Sequence, residues 1–586
     1  MLDEFRIEVS GHSERRYIAG MEQIVHLRRP IGRPKGRGVD PAARERLAQL
    51  LTGLAPQRDL LIECLHRIQD AEHHLSAPML AALAETLRMS QAEVFEVATF
   101  YHHFDVVGAG QTPPMPLTVR VCDSLSCALQ GAEALADRLE SALQGRARVQ
   151  RVPCIGRCAQ APAVVVDRHP VAPASEQRVL DAVDQGLRDC EPPAVTDLAA
   201  AVNAGSYARL LRCLRGEIDR ESVFDQLDRA GLRGLGGAGF PTGRKWRTVA
   251  SQPGPRLMAV NADEGEPGTF KDRHWLETAP HRVLEGVLIA AWAVGAEGCW
   301  IYLRDEYAGV RALLEPLVAA IGPWLETVWP DSVDAPRPAL HLRRGAGAYV
   351  CGEESAMIES IEGRRGTPRL RPPYVAQVGL FGRPTLVNNP ETLYWASVIL
   401  ENGAPWYAAH GRRGRTGLRS FSVSGRVRDP GVKLAPAGIS LRELIDEHCG
   451  GMAAGHVLFG YLPGGASGGI LPASLADEPL DFDTLAPHGA FVGSCAVIVL
   501  SQFDRARDAA ANLMRFFRHE SCGQCTPCRA GTARAQQLIE APLWDAPLLA
   551  ELSQAMRDAS ICGLGQAAPN PVDSVLRFFP DEVSRG

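Results

Sequence analysis

The spacing of apolar positions changes along this chain, and the changes divide it. From about Ala42 to Phe104 they recur at helical intervals, and Ser90-Gln-Ala-Glu93 stands ahead of the apolar run Val94, Val97, Ala98. A serine hydroxyl that takes the N–H of the third helical residue, with a glutamate there reaching back, marks a helix start. An all-helical N-terminal region, residues 1–112, is expected. Pro113, Pro114 and Pro116 interrupt it, since proline lacks the donor that continues a helix. Leu117 to Cys122 then alternates as a strand, Ala128 to Leu139 reads as a helix and Ala163 to Val166 as a second strand, which predicts a small α/β module over 113–190. Glu191 to Val195 opens a stretch, 191–225, expected to be linker. Beyond it lies a glycine-rich α/β domain, 226–418, the largest. Short β-like runs and turns such as Pro463-Gly-Gly-Ala-Ser-Gly-Gly469 predict a sheet domain over 419–505. Arginine- and alanine-rich helices fill 506–586. The fold class is therefore multidomain, α/β and α+β, with no tandem repeat.

Composition narrows the function classes. With 586 residues, 46% apolar and 22% charged, the chain has material for roughly three to five domains. A net charge of −6 gives no footprint for nucleic acid or anionic lipid. The opening MLDEFRIEVS has no basic segment followed by an apolar run, and no stretch reaches the ~18 apolar residues of a spanning helix, so a cytoplasmic protein with no membrane span is expected. The basic stretch from His26 to Arg46, with Arg28, Arg29, Arg33, Lys35 and Arg37, reads as a solvated arm able to dock a partner.

The fifteen cysteines change the picture most. Without an export signal a disulfide framework is disfavoured, and metal or redox chemistry leads. Cys64, Cys190, Cys213, Cys299, Cys351, Cys449 and Cys495 stand alone and read mostly as small buried hydrophobes. Cys522-x-x-Cys525-x-x-Cys528 has the spacing with which short turns bring thiolates to one iron-sulfur cubane, and Cys562 supplies the fourth ligand of a 4Fe-4S cluster. Cys122-x4-Cys127 and Cys154-x3-Cys158 form two pairs on separate loops, suited to a 2Fe-2S cluster with two thiolates per iron. Zinc is the alternative at both sets.

Gly234-Leu-Gly-Gly-Ala-Gly239, followed by Lys245, has glycines that let backbone N–H groups approach a phosphate. Asp263 follows the apolar Leu257 to Val260, where a dinucleotide site places an acid; spacing alone does not separate NAD from FMN, and a bare glycine turn is the bland reading. In Gly345-Ala-Gly-Ala-Tyr-Val-Cys-Gly-Glu-Glu-Ser355 the adjacent Glu353 and Glu354 do not share a helix face and are not an acid/base pair. A carboxylate here suits ribose hydroxyls and disfavours a 2′-phosphate; acids of a first helical turn are the plainer alternative.

Taken together, LRGLGGAGFPTGRKW, NADEGEPGTFKDR, GAYVCGEESAMIESIEG, PPYVAQVGLFGRPTLVNNPET, SCGQCTPCRAG and SICGLG resemble the NADH-binding flavoprotein subunit of respiratory complex I, from about residue 226 onward. Upstream, ATFYHHF and the two cysteine pairs resemble that complex's thioredoxin-like 2Fe-2S subunit. A fusion of the two is most similar to the diaphorase flavoprotein subunit of soluble NAD-reducing nickel-iron hydrogenases, with the formate dehydrogenase flavoprotein a close relative. The resemblance implies a thioredoxin-like module, a Rossmann-like FMN and NAD(H) domain, a β-grasp domain and a C-terminal helical bundle. It implies FMN held by Gly234, Gly236 and Gly237, with Lys245, Asn261, Asp263 and Glu264 nearby, Gly352 and Glu353 lining the flavin side and Asn388 and Asn389 closing the site. It implies NAD(H) contacts from Phe240, Lys245, Glu266, Tyr349, Glu354 and Tyr374. Leu235 replaces an arginine usual in this loop, which removes one charge but no backbone donor.

The activity so implied is hydride exchange between nicotinamide and FMN, with one-electron passage through the 4Fe-4S cluster to a partner. The 2Fe-2S site is an electron store or a support. Cofactors carry such chemistry, so no catalytic acid, base or nucleophile is assigned. No nickel-type cysteine motifs occur, which places hydrogen or formate chemistry on partners: a second iron-sulfur diaphorase subunit with hydrogenase subunits, or a formate dehydrogenase catalytic subunit. The competing readings are a zinc-stabilised scaffold and a stand-alone flavin reductase.

Overall fold

A computed structural model of the chain describes residues 36–108 and 110–584; the basic arm from His26 to Lys35 lies outside the described residues. Four helices, Pro41–Leu50, Leu61–Glu72, Ala77–Leu87 and Gln91–Phe100, open the chain. The last starts as its sequence predicts: Ser90 Oγ accepts from Glu93 N at 3.1 Å and the Glu93 carboxylate accepts from Ser90 N at 3.0 Å. The region is not wholly helical, because Leu75–Ser76 pairs in parallel with Val106–Val107.

This region is fastened to the large α/β domain by buried polar contacts. His66 Nε2 lies 2.8 Å from the Gly345 carbonyl, Tyr101 Oη donates to Ser360 Oγ at 2.9 Å, and His103 Nδ1 sits 2.7 Å from Asp305. His66 is buried, and that burial, helped by Arg344, lowers its pKa to about 3. The folded state then binds fewer protons than the unfolded one between about pH 6.5 and about pH 3, so stability is lost as pH falls through that window, by about 5 kcal/mol from this group. His66→Gln is expected to flatten the acid side of a plot of Tm against pH; an unchanged slope would show that His66 is not the responsible group.

The next sheet runs Arg148–Val152, Thr118–Cys122, Val164–Val166, His169–Val171, the first pair parallel and the others antiparallel. The single helix expected from Ala128 is two, Leu125–Ala128 and Ala132–Ala142, because Gly131 takes a φ of +78° between them. Residues 191–225, expected as linker, are folded. They hold helices Leu198–Asn203 and Ala208–Leu214 and the start of Arg220–Ala230. Leu198, Tyr207, Leu210, Val223 and Phe224 enter the core of the large domain, which is what turns a proline-flanked stretch into structure.

That domain has a four-stranded parallel sheet, in the order Thr385–Asn388, Arg256–Ala262, Ala296–Leu303, Ala339–Arg344. Its two central strands, Arg256–Ala262 and Ala296–Leu303, are largely apolar and buried because both of their faces are covered. Leu257, Ala259, Trp300 and Tyr302 face one core, which includes Met357 and Ile358, while Met258, Val260, Cys299 and Ile301 face the other, with Leu284, Leu288 and Ile399. Helix Ala308–Val328 is, contrary to expectation, long and apolar enough by length and composition to cross a membrane. Its Val310, Leu313, Leu317, Ile321 and Leu325 pack into this second core, the ordinary placement of an apolar helix stripe.

A five-stranded sheet follows, in the order Gly431–Pro436, Leu418–Gly425, Ala496–Ser501, Leu458–Leu462, Leu471–Pro472. Its central pair is parallel and its flanks antiparallel, a β-grasp arrangement. Helices Ala506–His519, Thr526–Ile539, Ala546–Ala559 and Asn570–Phe578 complete the chain.

Candidate functional site

The glycine loop is pinched at its base. Arg233 and Pro241 pair as an isolated bridge, Gly234 N donates to Phe240 O at 2.8 Å, and Thr242 N donates to Leu232 O at 2.9 Å. Between these points Gly237 has a φ of +128° with nothing within 4 Å of where a Cβ would stand, whereas a Cβ on Gly236 would lie 3.2 Å from Asn389 Cβ. The loop thus presents open backbone on one side and close packing on the other. Leu235 is buried and its N–H donates to Thr392 Oγ1 at 2.9 Å, so the residue that departs from the usual arginine belongs to the core.

The loop faces the carboxyl ends of neighbouring parallel strands, where α/β sheets bind ligands. Asn261 Nδ2 donates to Gly352 O at 2.8 Å and its Oδ1 accepts from Asp263 N at 3.2 Å, which ties two of the predicted segments together. Asn388 Oδ1 accepts from Trp246 Nε1 at 2.8 Å. Asn389 caps helix Pro390–Asn402 and donates from Nδ2 to Asp272 at 2.6 Å. The Asp263 carboxyl is buried, pushed well above the usual range by burial, and its Oδ2 has no protein partner. A buried polar group without a partner is expensive. Together with the open glycine turn, it fits a polar heterocycle bearing a phosphate.

Several predicted carboxylates are committed within the protein. Glu264 accepts from Asp272 N, Arg273 N and Tyr307 Oη at 2.8, 3.1 and 2.8 Å, and burial raises its pKa to about 7. Glu353 caps helix Glu354–Ile361 through Ser355 N and Ala356 N, and Arg371 binds it from outside. Glu266 accepts from Ser467 N and Oγ at 2.7 and 2.6 Å and from Tyr349 Oη. The accessible charges are Lys245, in the first turn of helix Thr242–Ala250, and Glu354, 3.7 Å away; Arg371 lies 3.4 Å from the same Glu354. Desolvation lowers the Lys245 pKa, opposed by Glu354. Phe240 is 45% and Tyr374 57% exposed, so aromatic surface borders these charges. Sequence reading assigned no role to Lys271, Asp272, Glu391 or Thr392, although the first two stand in NADEGEPGTFKDR and the others in NNPET.

The structure brings the members of each cysteine set near one another. Cys122, Cys127, Cys154 and Cys158 are all buried, unbridged by disulfides, with Cys154 and Cys158 Sγ 3.3 Å apart and Cys122 in contact with Cys127 and Cys154. Gly156 N points at Cys154 Sγ at 3.4 Å, and contacts from its cysteine neighbours hold the Cys154 thiol well below its usual range. Such clustered buried thiols suit a bound cluster. This set abuts the nucleotide segment: Phe270 packs on Cys154 and Cys158, Arg304 Nη2 donates to Cys154 O at 2.6 Å, and a Cβ on Gly156 would lie 2.4 Å from Tyr307 Oη.

Cys525 and Cys562 cap helices Thr526–Ile539 and Gly563–Ala567, and Cys528 lies in the first turn of the former. Burial raises Cys528 to about 12, with the charges of Cys525, Cys562 and Cys522 adding to the effect, so the four converge. Gly565 permits this, since a Cβ there would stand 2.6 Å from Ser560 Oγ and 2.8 Å from Cys528 Cβ. Gly565→Ala is expected to lose most of the 4Fe-4S electron paramagnetic resonance (EPR) signal while retaining flavin absorbance; a full cluster signal would show that the approach is looser than this packing.

Comparison with known proteins agrees with this geometry. The Nuo51 FMN-binding domain model matches residues 227–397, the thioredoxin-like 2Fe-2S ferredoxin model residues 47–186, and the NADH-ubiquinone oxidoreductase-F iron-sulfur binding region residues 508–586. The chain is 38% identical over 403 residues to an NADH-quinone oxidoreductase F-type subunit of Rhizobium meliloti, the one designated F 2, covering 66% of this chain and 93% of that one. It is 40% identical over 382 residues to the corresponding NADH-quinone oxidoreductase protein of Rickettsia typhi, covering 62% and 88%. A crystal structure of an NAD+-reducing NiFe-hydrogenase in the H2-reduced state superposes with a TM-score of 0.79 at 34% identity, covering 91% of this chain and 93% of that chain. Its cofactors are accordingly FMN, NAD(H), one 2Fe-2S and one 4Fe-4S cluster, and it is an NAD-dependent oxidoreductase. By the extent of that match and the glycine loop and cysteine sets that carry it, the chain belongs to the NADH-quinone oxidoreductase F-type family of FMN and iron-sulfur flavoproteins.

Proposed function

We propose that this chain is a diaphorase subunit that couples hydrogen oxidation on partner subunits to NAD reduction in the cytoplasm. The observation that carries this reading is extent: the Rhizobium meliloti quinone oxidoreductase protein aligns with 66% of the chain, whereas the hydrogenase chain covers 91% of it. The partners are then a second iron-sulfur diaphorase subunit and the hydrogenase subunits. An NAD-dependent formate dehydrogenase assembly is the second reading.

Bound FMN supplies hydride exchange with nicotinamide and one-electron exchange with the clusters. The chain's own residues bind and orient. Backbone donors of Gly236 and Gly237, with Lys245, take the flavin phosphate, while Gly234 closes the base of their loop through its bond to Phe240 O. Asp263, whose carboxyl burial holds well above the usual range, and Asn388 face the polar edge of the ring system, and Asn261, Gly352, Asn389, Glu264 and Glu353 hold those walls in place. Phe240, Tyr349 and Tyr374 flank the nicotinamide nucleotide, Glu354 takes its ribose hydroxyls, and Glu266 fixes Tyr349. The cluster ligands are Cys122, Cys127, Cys154 and Cys158 for 2Fe-2S, and Cys522, Cys525, Cys528 and Cys562 for 4Fe-4S. The domain division we adopt keeps the bounds read from the sequence, except that 191–225 joins the nucleotide domain.

The test is hydrogen-dependent NAD reduction by the purified native complex, with formate in parallel. Hydrogen-driven activity is expected. Formate-driven activity alone would transfer the chain to the second reading, and NADH oxidation by quinone in membranes, with neither of these, would place it in complex I.

A further inference from the structure

Among the described residues, outside the nucleotide and cluster sites, one group of metal-binding side chains comes together from segments far apart in the chain. His102 follows helix Gln91–Phe100 in the N-terminal region, and His519 and Glu520 end helix Ala506–His519 just before the first cluster cysteine. One ligand atom from each lies within 4.8 Å of the other two. The two imidazoles stack with centroids 4.1 Å apart, and His519 Nε2 is 4.0 Å from Glu520 Oε1. Glu520 uses its other oxygen to accept from Tyr349 N at 2.9 Å, and His102 N donates to Gly347 O at 3.3 Å. The backbone on both sides is therefore anchored while the donors face each other.

We propose that His102, His519 and Glu520 bind one divalent transition-metal ion at the seam between the N-terminal helical region and the 4Fe-4S segment. Two imidazoles and one carboxylate favour zinc, cobalt, nickel or manganese over magnesium and calcium. Bonds of about 2.0–2.2 Å require the donors to draw roughly 1 Å closer and the rings to unstack, a rotation open to His102 and His519 because both are exposed. His519 and Phe516 also line a cavity of about 210 Å³ with Ser124, whose hydroxyl is buried and has no partner. Arg515 and Arg151 line the same cavity and outnumber its one carboxylate, Asp123, which favours a weak, reversible site over a permanent structural one. A bare packing contact between two neutral imidazoles would show the stacking but would not take up metal.

A dication two residues from Cys522 stabilises the reduced, more negative cluster, so occupancy is expected to raise the midpoint potential of the 4Fe-4S centre. The experiment uses the full chain with flavin and both clusters loaded. Manganese(II) is titrated by equilibrium dialysis, and the relaxation of the reduced 4Fe-4S EPR signal is followed in parallel. One saturable equivalent, faster cluster relaxation, and binding weakened by about tenfold or more in His102→Gln, with iron and flavin content unchanged, are expected. Saturating manganese without any change in relaxation of the native chain would overturn the proposal, as would equal affinity in a His102→Gln chain that keeps its clusters.

Discussion

Lys271→Met is expected to lower stability by about 3–5 kcal/mol, because removing one partner of a buried ion pair strands the other, and to release flavin. Lys271 is 1% exposed, and its Nζ lies 2.7 Å from Asp272 and 3.0 Å from Glu391, both also buried. Methionine matches the length and leaves two carboxylates uncompensated. The damage reaches the glycine loop through named contacts. Asp272 holds the Asn389 amide at 2.6 Å, Asn389 packs 3.2 Å from where a Gly236 Cβ would be, and Glu391 accepts from Ser420 N at 3.1 Å in the β-grasp sheet. Calorimetry and flavin content after gel filtration provide the measurement. Adding Asp272→Asn should recover part of the stability, since it removes one stranded charge. Wild-type Tm and flavin content in the single variant would refute the buried-pair account.

Cys562→Ala is expected to abolish the 4Fe-4S EPR signal and reduce electron delivery to partner subunits to background, while NADH still reduces a small acceptor directly at the flavin. Three thiolates on one short turn leave a cubane corner open, and Cys562 heads the short helix whose Gly565 packs against Cys528. The split between the two activities is the informative readout. Loss of both would mean that the cluster segment also supports the nucleotide site, for which Glu520 bound to Tyr349 N offers the route. An iron content unchanged from wild type would remove Cys562 from the ligand set.

Much of this was legible before any coordinates. Ser90 and Glu93 form the reciprocal cap that their spacing predicts, and Thr118–Cys122 and Val164–Val166 are strands where alternation and β-branched residues place them. The misjudged stretch, 191–225, fails for a physical reason. Its helices are short, six and seven residues for the first two, too short to hold by propensity. They persist because Tyr207, Leu210 and Phe224 are buried in a core made mostly of residues beyond 245. Helix Ala308–Val328 shows the same limit from the other side: its composition permits a membrane span or a core helix, and only the sheet it covers decides.

By itself the sequence determined what depends on near neighbours: the two cysteine spacings, the glycine loop that leaves backbone donors open, and the helix starts. These follow from turn geometry and side-chain reach over a few residues. Tertiary structure decided which carboxylates remain available to a nucleotide. Glu264 and Glu353 are occupied by helix amides and Glu266 by Tyr349 and Ser467, while Asp263 keeps an unpartnered buried oxygen. It also decided that Lys271 neutralises Asp272 and Glu391, and that the Cys154 loop lies against Arg304 and Phe270. The pairings of Lys271 with Glu391 and of Cys154 with Phe270 and Arg304 join positions more than a hundred residues apart. They are set by the order of strands in the sheet and the helices packed on it, which local patterning does not encode.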